Sequence, residues 1–173
     1  GILQPDEGTV QIDGADIFEN IAMKERFFFI SDEQFFFPNS TPKEMKNYYK
    51  RFYSKFDEAR YRKLMNGFGL DENRKLRTFS KGMKKQVAFW LSLSAMPEAL
   101  ILDEPLDGLD PVMRKQVLNL VIADVADRNM TVLVSSHNLR ELEDVCDHVG
   151  IMNGGKVLLE HPLSELQANI VKV

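Results

Sequence analysis

The sequence predicts an α/β domain in which helices are layered on a parallel sheet. Short, strongly apolar runs at residues 26–31, 99–102 and 131–136 are typical of buried strands. Helical patterns alternate with the later runs, which favours parallel pairing through crossover helices. Helical patterns also fill residues 41–96 with no strand between them. We therefore expect a helical lobe inserted into the sheet.

Composition and length indicate one compact globular domain. The 173 residues are 44% hydrophobic and 28% charged, and the formal net charge of −4 gives no electrostatic reason to expect nucleic-acid binding. The single cysteine, Cys146, excludes an internal disulfide framework and fits a reducing compartment. No apolar run approaches the roughly 20 residues that span a bilayer, and the first residues lack the pattern of a signal peptide.

The sequence of the first half predicts a small β segment before the strand at 26–31 and a capped helix after it. Residues 8–18 alternate apolar and polar around an Asp-Gly turn signal. Thr41 can cap the helix, Pro42 suits its first position, and Glu44 completes a capping box. The helix is expected to continue through residues at helical spacing: Met45, Tyr48, Tyr49, Phe52, Tyr53 and Phe56.

Start and stop signals mark the remaining elements. Asp57 can cap a second helix that ends at Gly67 or Gly69, and Ser80 can cap a third that runs up to Pro97. The later elements are a helix beginning at Asp110-Pro111, a short helix through Glu143, a hairpin around Asn153-Gly154 and a last helical piece at 164–169.

Two adjacent acids, Asp103 and Glu104, follow the strand at 99–102. Ligands in open α/β sheets sit beyond the carboxyl ends of the strands. A carboxylate there suits Mg²⁺, and its neighbour could position or deprotonate a water molecule. Taken alone, the dipeptide is more simply explained as a solvated strand exit.

The surrounding motifs resemble those of ABC-transporter ATPases. Residues 99–111, "ALILDEPLDGLDP", resemble the Walker B motif and D-loop, and residues 79–86, "FSKGMKKQ", resemble the signature motif. Residues 131–143, "TVLVSSHNLRELE", resemble the strand that bears the switch histidine, and residues 1–14 resemble the segment after the first helix. The lysine-containing "SKGM" is familiar in exporter-type members of the family.

The resemblance implies a P-loop NTPase-like parallel sheet, truncated at its N-terminus, with an inserted α-helical lobe. The expected segments are an ATPase-core remainder with the Q-loop region at 1–40, a helical signature lobe at 41–96, and a C-terminal core at 97–173. The implied function is an ATP-binding and ATP-hydrolysing subunit that powers export. Its implied partners are a second ATPase subunit, in a homo- or heterodimer, and a separate membrane permease. No nucleic acid is expected, and the implied location is the cytoplasmic face of the cell membrane.

The resemblance also assigns roles to the motif residues. Asp103 would hold Mg²⁺, Glu104 would be the catalytic base, and His137 would contact the γ-phosphate of ATP. Asp107 and Asp110 would lie in the D-loop that meets the partner subunit.

The signature motif would bind the nucleotide of the twin subunit through Ser80, Lys81, Gly82 and Met83. A capped helix whose glycine allows close approach presents N–H groups to an anion. This chain departs from the commonest pattern, with Phe79 for leucine, Lys81 for glycine and Met83 for glutamine.

The Q-loop position has three candidate residues. Alignment on the strand at 26–31 places Asp32 where the family has glutamine, with Glu33 and Gln34 adjacent. Asp32 is the first choice, because an acid can also face the cation. The three phenylalanines at 35–37 are expected to be lobe core, the alternative being a surface for a membrane partner.

A P-loop is expected in this family, and the sequence has no acceptable G-x-x-x-x-G-K-[ST] match. The nearest match, at 150–157, has Val157 where Ser or Thr must stand and falls in the predicted hairpin. We therefore expect a C-terminal portion of an ATPase domain that alone neither binds ATP tightly nor hydrolyses it.

Two other interpretations stay open. A soluble family member in translation or DNA repair usually carries coiled-coil insertions or tandem ATPase halves, and neither is seen in this sequence. A non-catalytic remnant is favoured by the missing P-loop and disfavoured by the presence of Glu104 and His137.

Overall fold

The computed structural model describes residues 4–138, 142–143 and 145–165. The chain divides into two compact units, Gly1–Ser135 and Ser136–Val173. No helix in the described residues is long and apolar enough to cross a membrane.

A three-stranded parallel sheet forms the centre of the first unit. Its strands are β3 (Phe27–Ile30), β4 (Ala99–Asp103) and β5 (Thr131–Ser135), in the spatial order β3-β4-β5. Because all three run in the same direction, their carboxyl ends lie along one edge. The predicted parallel sheet is therefore confirmed. A separate two-stranded antiparallel hairpin, β1 (Gln11–Ile12) and β2 (Ala15–Asp16), turns at the Asp-Gly pair as expected.

Two short helical pieces escaped prediction, because neither is long enough to show a period. They are α1 (Ile21–Lys24), capped by the side chain of Asn20, and a 3₁₀ turn at Leu76–Thr78.

The first lobe helix, α2 (Pro42–Tyr49), begins as predicted and ends early. Thr41 accepts from the Glu44 N–H while the Glu44 carboxylate accepts from the Thr41 N–H, which completes the capping box. The expected continuation to Phe56 is wrong. The chain turns after Tyr49 instead, and the Tyr53 hydroxyl donates to the Phe27 carbonyl at 3.2 Å, which ties the turn to β3.

Two more helices complete the lobe, and both caps are as predicted. Helix α3 (Glu58–Phe68) is capped by Asp57 and ends at Gly69, whose φ of +63° is the left-handed geometry that glycine adopts easily. Helix α4 (Lys81–Ser94) is capped by Ser80 and is buried on nearly all sides from Val87 onward. Such a helix is packed between layers rather than lying on the surface.

The core lies between the lobe helices and one face of the sheet. The rings of Trp90 and Tyr61 stack at 4.4 Å, and the Trp90 indole donates to the Tyr61 carbonyl at 2.6 Å. Of the three phenylalanines expected in the core, Phe36 packs against it, while Phe35 and Phe37 are exposed. That part of the expectation is wrong.

Helix α5 (Pro111–Arg128) follows β4 and contacts the lobe helix α3 through a buried aspartate. Asp110 caps it as predicted, and Asn129 ends it in the left-handed conformation. The buried Asp124 carboxylate pairs with the guanidinium groups of Arg60 on α3 and Arg128. This ion triad fixes α3 against α5.

The second unit contains the predicted hairpin. Strands β6 (His148–Asn153) and β7 (Lys156–Pro162) pair antiparallel and are joined by two glycines with positive φ. The short helix predicted through Glu143 and the helical piece predicted at 164–169 fall largely outside the described residues.

Candidate active site

One hydroxyl contacts both residues of the acid pair at the strand end. Asp103 ends β4, and in the parallel register it pairs with Ser135, which ends β5. The Ser135 hydroxyl donates to Asp103 Oδ1 at 2.6 Å and accepts from the Glu104 N–H at 3.3 Å. The neighbouring strand therefore fixes the direction in which the acid pair leaves the sheet.

The backbone of Glu104 is held in an uncommon conformation. Its φ is +43°, a left-handed value that costs on the order of 1–3 kcal/mol for a residue with a side chain. Its carbonyl accepts from Lys85 Nζ at 2.6 Å and from the Asp107 N–H at 3.4 Å. Such strain persists only where surrounding bonds hold it, and it is common at functional sites.

Asp32, in the loop after β3, is paired with two lysines of α4. Its Oδ1 lies 3.0 Å from Lys81 Nζ and 3.3 Å from Lys85 Nζ. Hydrogen bonds from Lys81, which has the larger effect, and from Lys85 hold the pKa of the Asp32 carboxyl below its ordinary value. The carboxylate is thus ionised and its charge is already compensated. It can ligate a cation only if a lysine gives way, and its role as a metal ligand remains a prediction.

The other Q-loop candidates make local contacts. The Gln34 amide donates to the Ser31 carbonyl. The Ser31 hydroxyl donates to the backbone carbonyl of the exposed Glu33 at 2.5 Å. These bonds shape the loop after β3.

The amino terminus of α4 has the capped geometry expected of an anion-binding helix end. Ser80 Oγ accepts from the Met83 N–H at 3.2 Å. Because the cap uses that N–H, the other N–H groups of the first turn are the ones left to an incoming ligand.

A close backbone contact joins this helix end to the loop after β4. A Cβ placed on Gly82 would lie 2.5 Å from the carbonyl oxygen of Gly108, a separation that real Cβ atoms do not reach. Gly108 has a φ of +76°, which favours glycine there as well. The stretches that resemble the signature motif and the D-loop therefore touch within one chain.

The two D-loop acids differ in their surroundings. Asp110 Oδ1 accepts from the N–H groups of Val112 and Met113 at 3.0 Å each and so caps α5. Asp107 is half-buried, and its N–H donates to the Glu104 carbonyl.

His137 lies two residues beyond Ser135, among the first residues of the second unit. Its assignment as the γ-phosphate contact remains a prediction, as do the assigned roles of the other site residues. What the first unit brings together is Asp103, Glu104 and Asp32 with the amino terminus of α4.

Sequence reasoning missed Lys85 and Ser135. The signal for Lys85 was present, because Lys81 and Lys85 stand four residues apart and so share a helix face. The signal for Ser135 was weaker, since its role depends on the register between two strands.

Comparison with known proteins identifies the family. The family model described as ABC transporter matches residues 1–107. The chain is 33% identical over 172 residues to the ABC transporter ATP-binding protein YtrB of Bacillus subtilis (strain 168), covering 99% of this chain and 59% of the relative. It is 34% identical over 170 residues to the bacitracin transport ATP-binding protein BcrA of Bacillus licheniformis, covering 96% of this chain and 56% of that protein.

A further relative is covered more fully. The chain is 30% identical over 174 residues to the thiamine import ATP-binding protein ThiQ of Jannaschia sp. (strain CCS1), covering 98% of this chain and 76% of the relative. The chain thus spans a little over half the length of YtrB and BcrA and about three quarters of ThiQ.

Solved structures agree on the fold. The ATP-binding subunit of an ABC transporter superimposes with a TM-score of 0.87 at 25% identity, over 99% of this chain and 73% of that one. A dimeric ATP-binding cassette, MJ0796 bound to ADP and Pi, has a TM-score of 0.78 at 20% identity, over 94% of this chain and 76% of that chain, and supports the fold alone. The predicted P-loop NTPase-like fold is therefore confirmed, and the chain belongs to the ABC transporter family.

Proposed function

We propose that the protein is the ATP-binding and ATP-hydrolysing subunit of a transporter that drives export through a separate permease. The observation that carries this proposal is the acid pair Asp103-Glu104, held at the carboxyl edge of the sheet by Ser135 and Lys85. The relative BcrA, named for bacitracin transport, supports export, while ThiQ is named for thiamine import.

The donors at the strand end fit a magnesium ion. Asp103 offers hard carboxylate oxygens, and its hydrogen bond with Ser135 engages one of the two. Mg²⁺ bound with ATP would offset negative charge on the phosphates. Asp103 is the residue that would hold it.

Glu104 supplies the base in this proposal. Its carboxylate accepts a proton from the attacking water as the oxygen of that water bonds to the terminal phosphorus, while the bond from that phosphorus to the bridging oxygen breaks and ADP leaves. The rigidly held backbone of Glu104 keeps that side chain at one place on the sheet edge, so little reorganisation is needed when the water arrives.

The amino terminus of α4 binds the ATP of a second subunit. First-turn N–H groups and the exposed Lys81 ammonium give this end a positive potential that suits phosphate. A homo- or heterodimer would then complete each site, because each nucleotide needs a sheet edge from one subunit and a helix end from the other.

An exposed aromatic surface around α2 suits a membrane partner. It comprises Phe35, Phe37, Tyr48 and Phe52, of which Phe35 is 76% exposed. The Phe37 and Tyr48 rings meet edge to face at 5.0 Å, and those of Tyr48 and Phe52 lie 4.9 Å apart. Grouped exposed rings are typical of protein interfaces. We assign this surface to the permease, which would place the subunit at the cytoplasmic face of the membrane.

The test is phosphate release from ATP by the complete protein together with its membrane partner. We expect release that stops when Mg²⁺ is chelated and returns when Mg²⁺ is restored. Release that is absent under all conditions, or that is indifferent to Mg²⁺, would refute the proposal.

A further inference from the structure

We propose that Lys85 is a positioning residue for hydrolysis, which holds the Glu104 backbone in place and links it to Asp32. This inference rests on the proposed function, since positioning Glu104 matters only if Glu104 acts as the base. In this role Lys85 acts through Glu104 rather than on the substrate.

The burial of Lys85 is the first observation. Its side chain is 0% exposed, although lysine is among the residues least often fully buried. A buried ammonium group is costly unless it is paired and hydrogen-bonded. The Lys85 ammonium therefore depends on its two hydrogen-bond partners, Asp32 and the Glu104 carbonyl.

The choice of partner is the second observation. Lys85 Nζ lies closer to the Glu104 carbonyl, at 2.6 Å, than to the Asp32 carboxylate, at 3.3 Å. A lysine buried only to form an ion pair would sit closest to the acid. Here the shorter and stronger hydrogen bond goes to the backbone of the residue with the left-handed φ.

Both sides of Glu104 are therefore restrained. Its N–H is bound by the Ser135 hydroxyl and its carbonyl by Lys85. With the two flanking peptide groups fixed, the direction of the Cα–Cβ bond is fixed too, and with it the region that the carboxylate can reach. Without Lys85 the carbonyl loses a charged donor, and the backbone can relax toward an ordinary φ.

The two lysines that pair with Asp32 have different roles. The Lys81 side chain is 55% exposed at the helix end proposed to meet phosphate, so it can turn away to a ligand. Lys85 is enclosed and remains bound to Asp32 when Lys81 leaves. The Q-loop position and the proposed base thus stay connected through one ammonium group.

The experiment compares Lys85→Met and Lys85→Gln in the complete protein, with Lys63→Met, an exposed lysine on α3, as the matched control. Single-turnover hydrolysis, ATP affinity and thermal midpoint are measured for each variant. We expect Lys85→Met to slow hydrolysis about 10- to 100-fold with ATP affinity within about threefold of wild type. Lys85→Gln keeps one N–H donor for the Glu104 carbonyl and should recover part of the rate, while Lys63→Met should match wild type.

A double-mutant cycle separates positioning from a general structural role. In a Glu104→Gln background, Lys85→Met should slow the residual hydrolysis by less than about twofold, because the group it positions is already gone. An equal loss of rate in both backgrounds would overturn the inference, as would a loss of rate matched by an equal loss of ATP affinity or of folded protein.

The inference and the proposed function fail in different ways. If wild type releases no phosphate from ATP, the proposed function falls and takes the inference with it. If wild type is active, Glu104→Gln is inactive and Lys85→Met equals wild type, only the role of Lys85 is refuted.

Discussion

Gly67 and Gly82 are both helical glycines, yet their surroundings are opposite. A Cβ on Gly67 would meet only the end of the Gln116 side chain, at 3.4 Å, whereas one on Gly82 would meet the Gly108 backbone at 2.5 Å. A side-chain end can move aside, but the backbone carbonyl of a restrained loop cannot do so cheaply.

The same substitution at these two glycines should therefore have opposite effects on stability. Gly67→Ala should raise the free energy of unfolding by about 0.5–1 kcal/mol, because alanine favours the helix and restricts the unfolded chain. Gly82→Ala should lower it by about 1–3 kcal/mol through overpacking. Urea denaturation of the complete protein measures both, and a Gly82→Ala variant as stable as wild type would show that the contact with Gly108 is not tight.

At the scale of single residues, the sequence predicted the features that depend only on near neighbours in the chain. The helix caps at Thr41, Asp57, Ser80 and Asp110 were all predicted, because a cap depends on residues two or three positions away. Lys85 was missed because its partners lie 19 and 53 residues away in the chain.

At the scale of elements, the carboxylate of Glu98 links the amino ends of β3 and β4 to the turn after α2. Glu98, just before β4, accepts from Arg26 Nε and from Lys55 Nζ at 2.7 Å each. Arg26 stands just before β3, and its carbonyl also accepts the N–H groups of Glu98 and Ala99. This cluster aligns the amino ends of β3 and β4, and so sets which residues reach the opposite edge.

The cluster predicts sensitivity to acid. Hydrogen bonds from Lys55 and then Arg26 hold the pKa of Glu98 below its ordinary value of 4.5. Because the folded-state pKa is lowered, the contribution of Glu98 to stability is complete at pH values above its ordinary pKa of 4.5. The contribution is lost as the pH falls through the folded-state pKa.

We therefore expect the free energy of unfolding to decline as the pH falls from about 6 to about 3, and to decline less steeply in Glu98→Gln. Denaturant titrations at several pH values measure the slope, with the exposed Glu7→Gln as control. An unchanged slope in Glu98→Gln would contradict the predicted contribution.

The early end of α2 shows where pattern alone was insufficient. The aromatic residues of 42–56 keep helical spacing, yet the chain leaves the helix after Tyr49. Phe28 of β3 packs against the rings of Tyr49 and Tyr53, at 5.1 and 5.2 Å, and these contacts with the sheet favour the turn over further helix. Hydrophobic period predicts which residues are apolar on one face, and it does not predict where a neighbouring layer bends the chain.

At the scale of the molecule, the alternation of apolar runs and capped helices was sufficient for the parallel sheet. It was also sufficient to place the acid pair at the edge where ligands of α/β sheets sit. Which side chains hold that pair depends on register and on contacts between distant segments. The structure was needed to show that Ser135 lies opposite Asp103 and that Lys85 donates to the Glu104 carbonyl.

The central claim is that the acid pair at this edge hydrolyses ATP, with Glu104 as the base. Its most direct test is the single-turnover rate of phosphate release by Glu104→Gln, measured beside ATP affinity in the complete protein. We predict a fall of at least about 100-fold with ATP affinity within about threefold of wild type. A Glu104→Gln rate within about twofold of wild type would contradict the account.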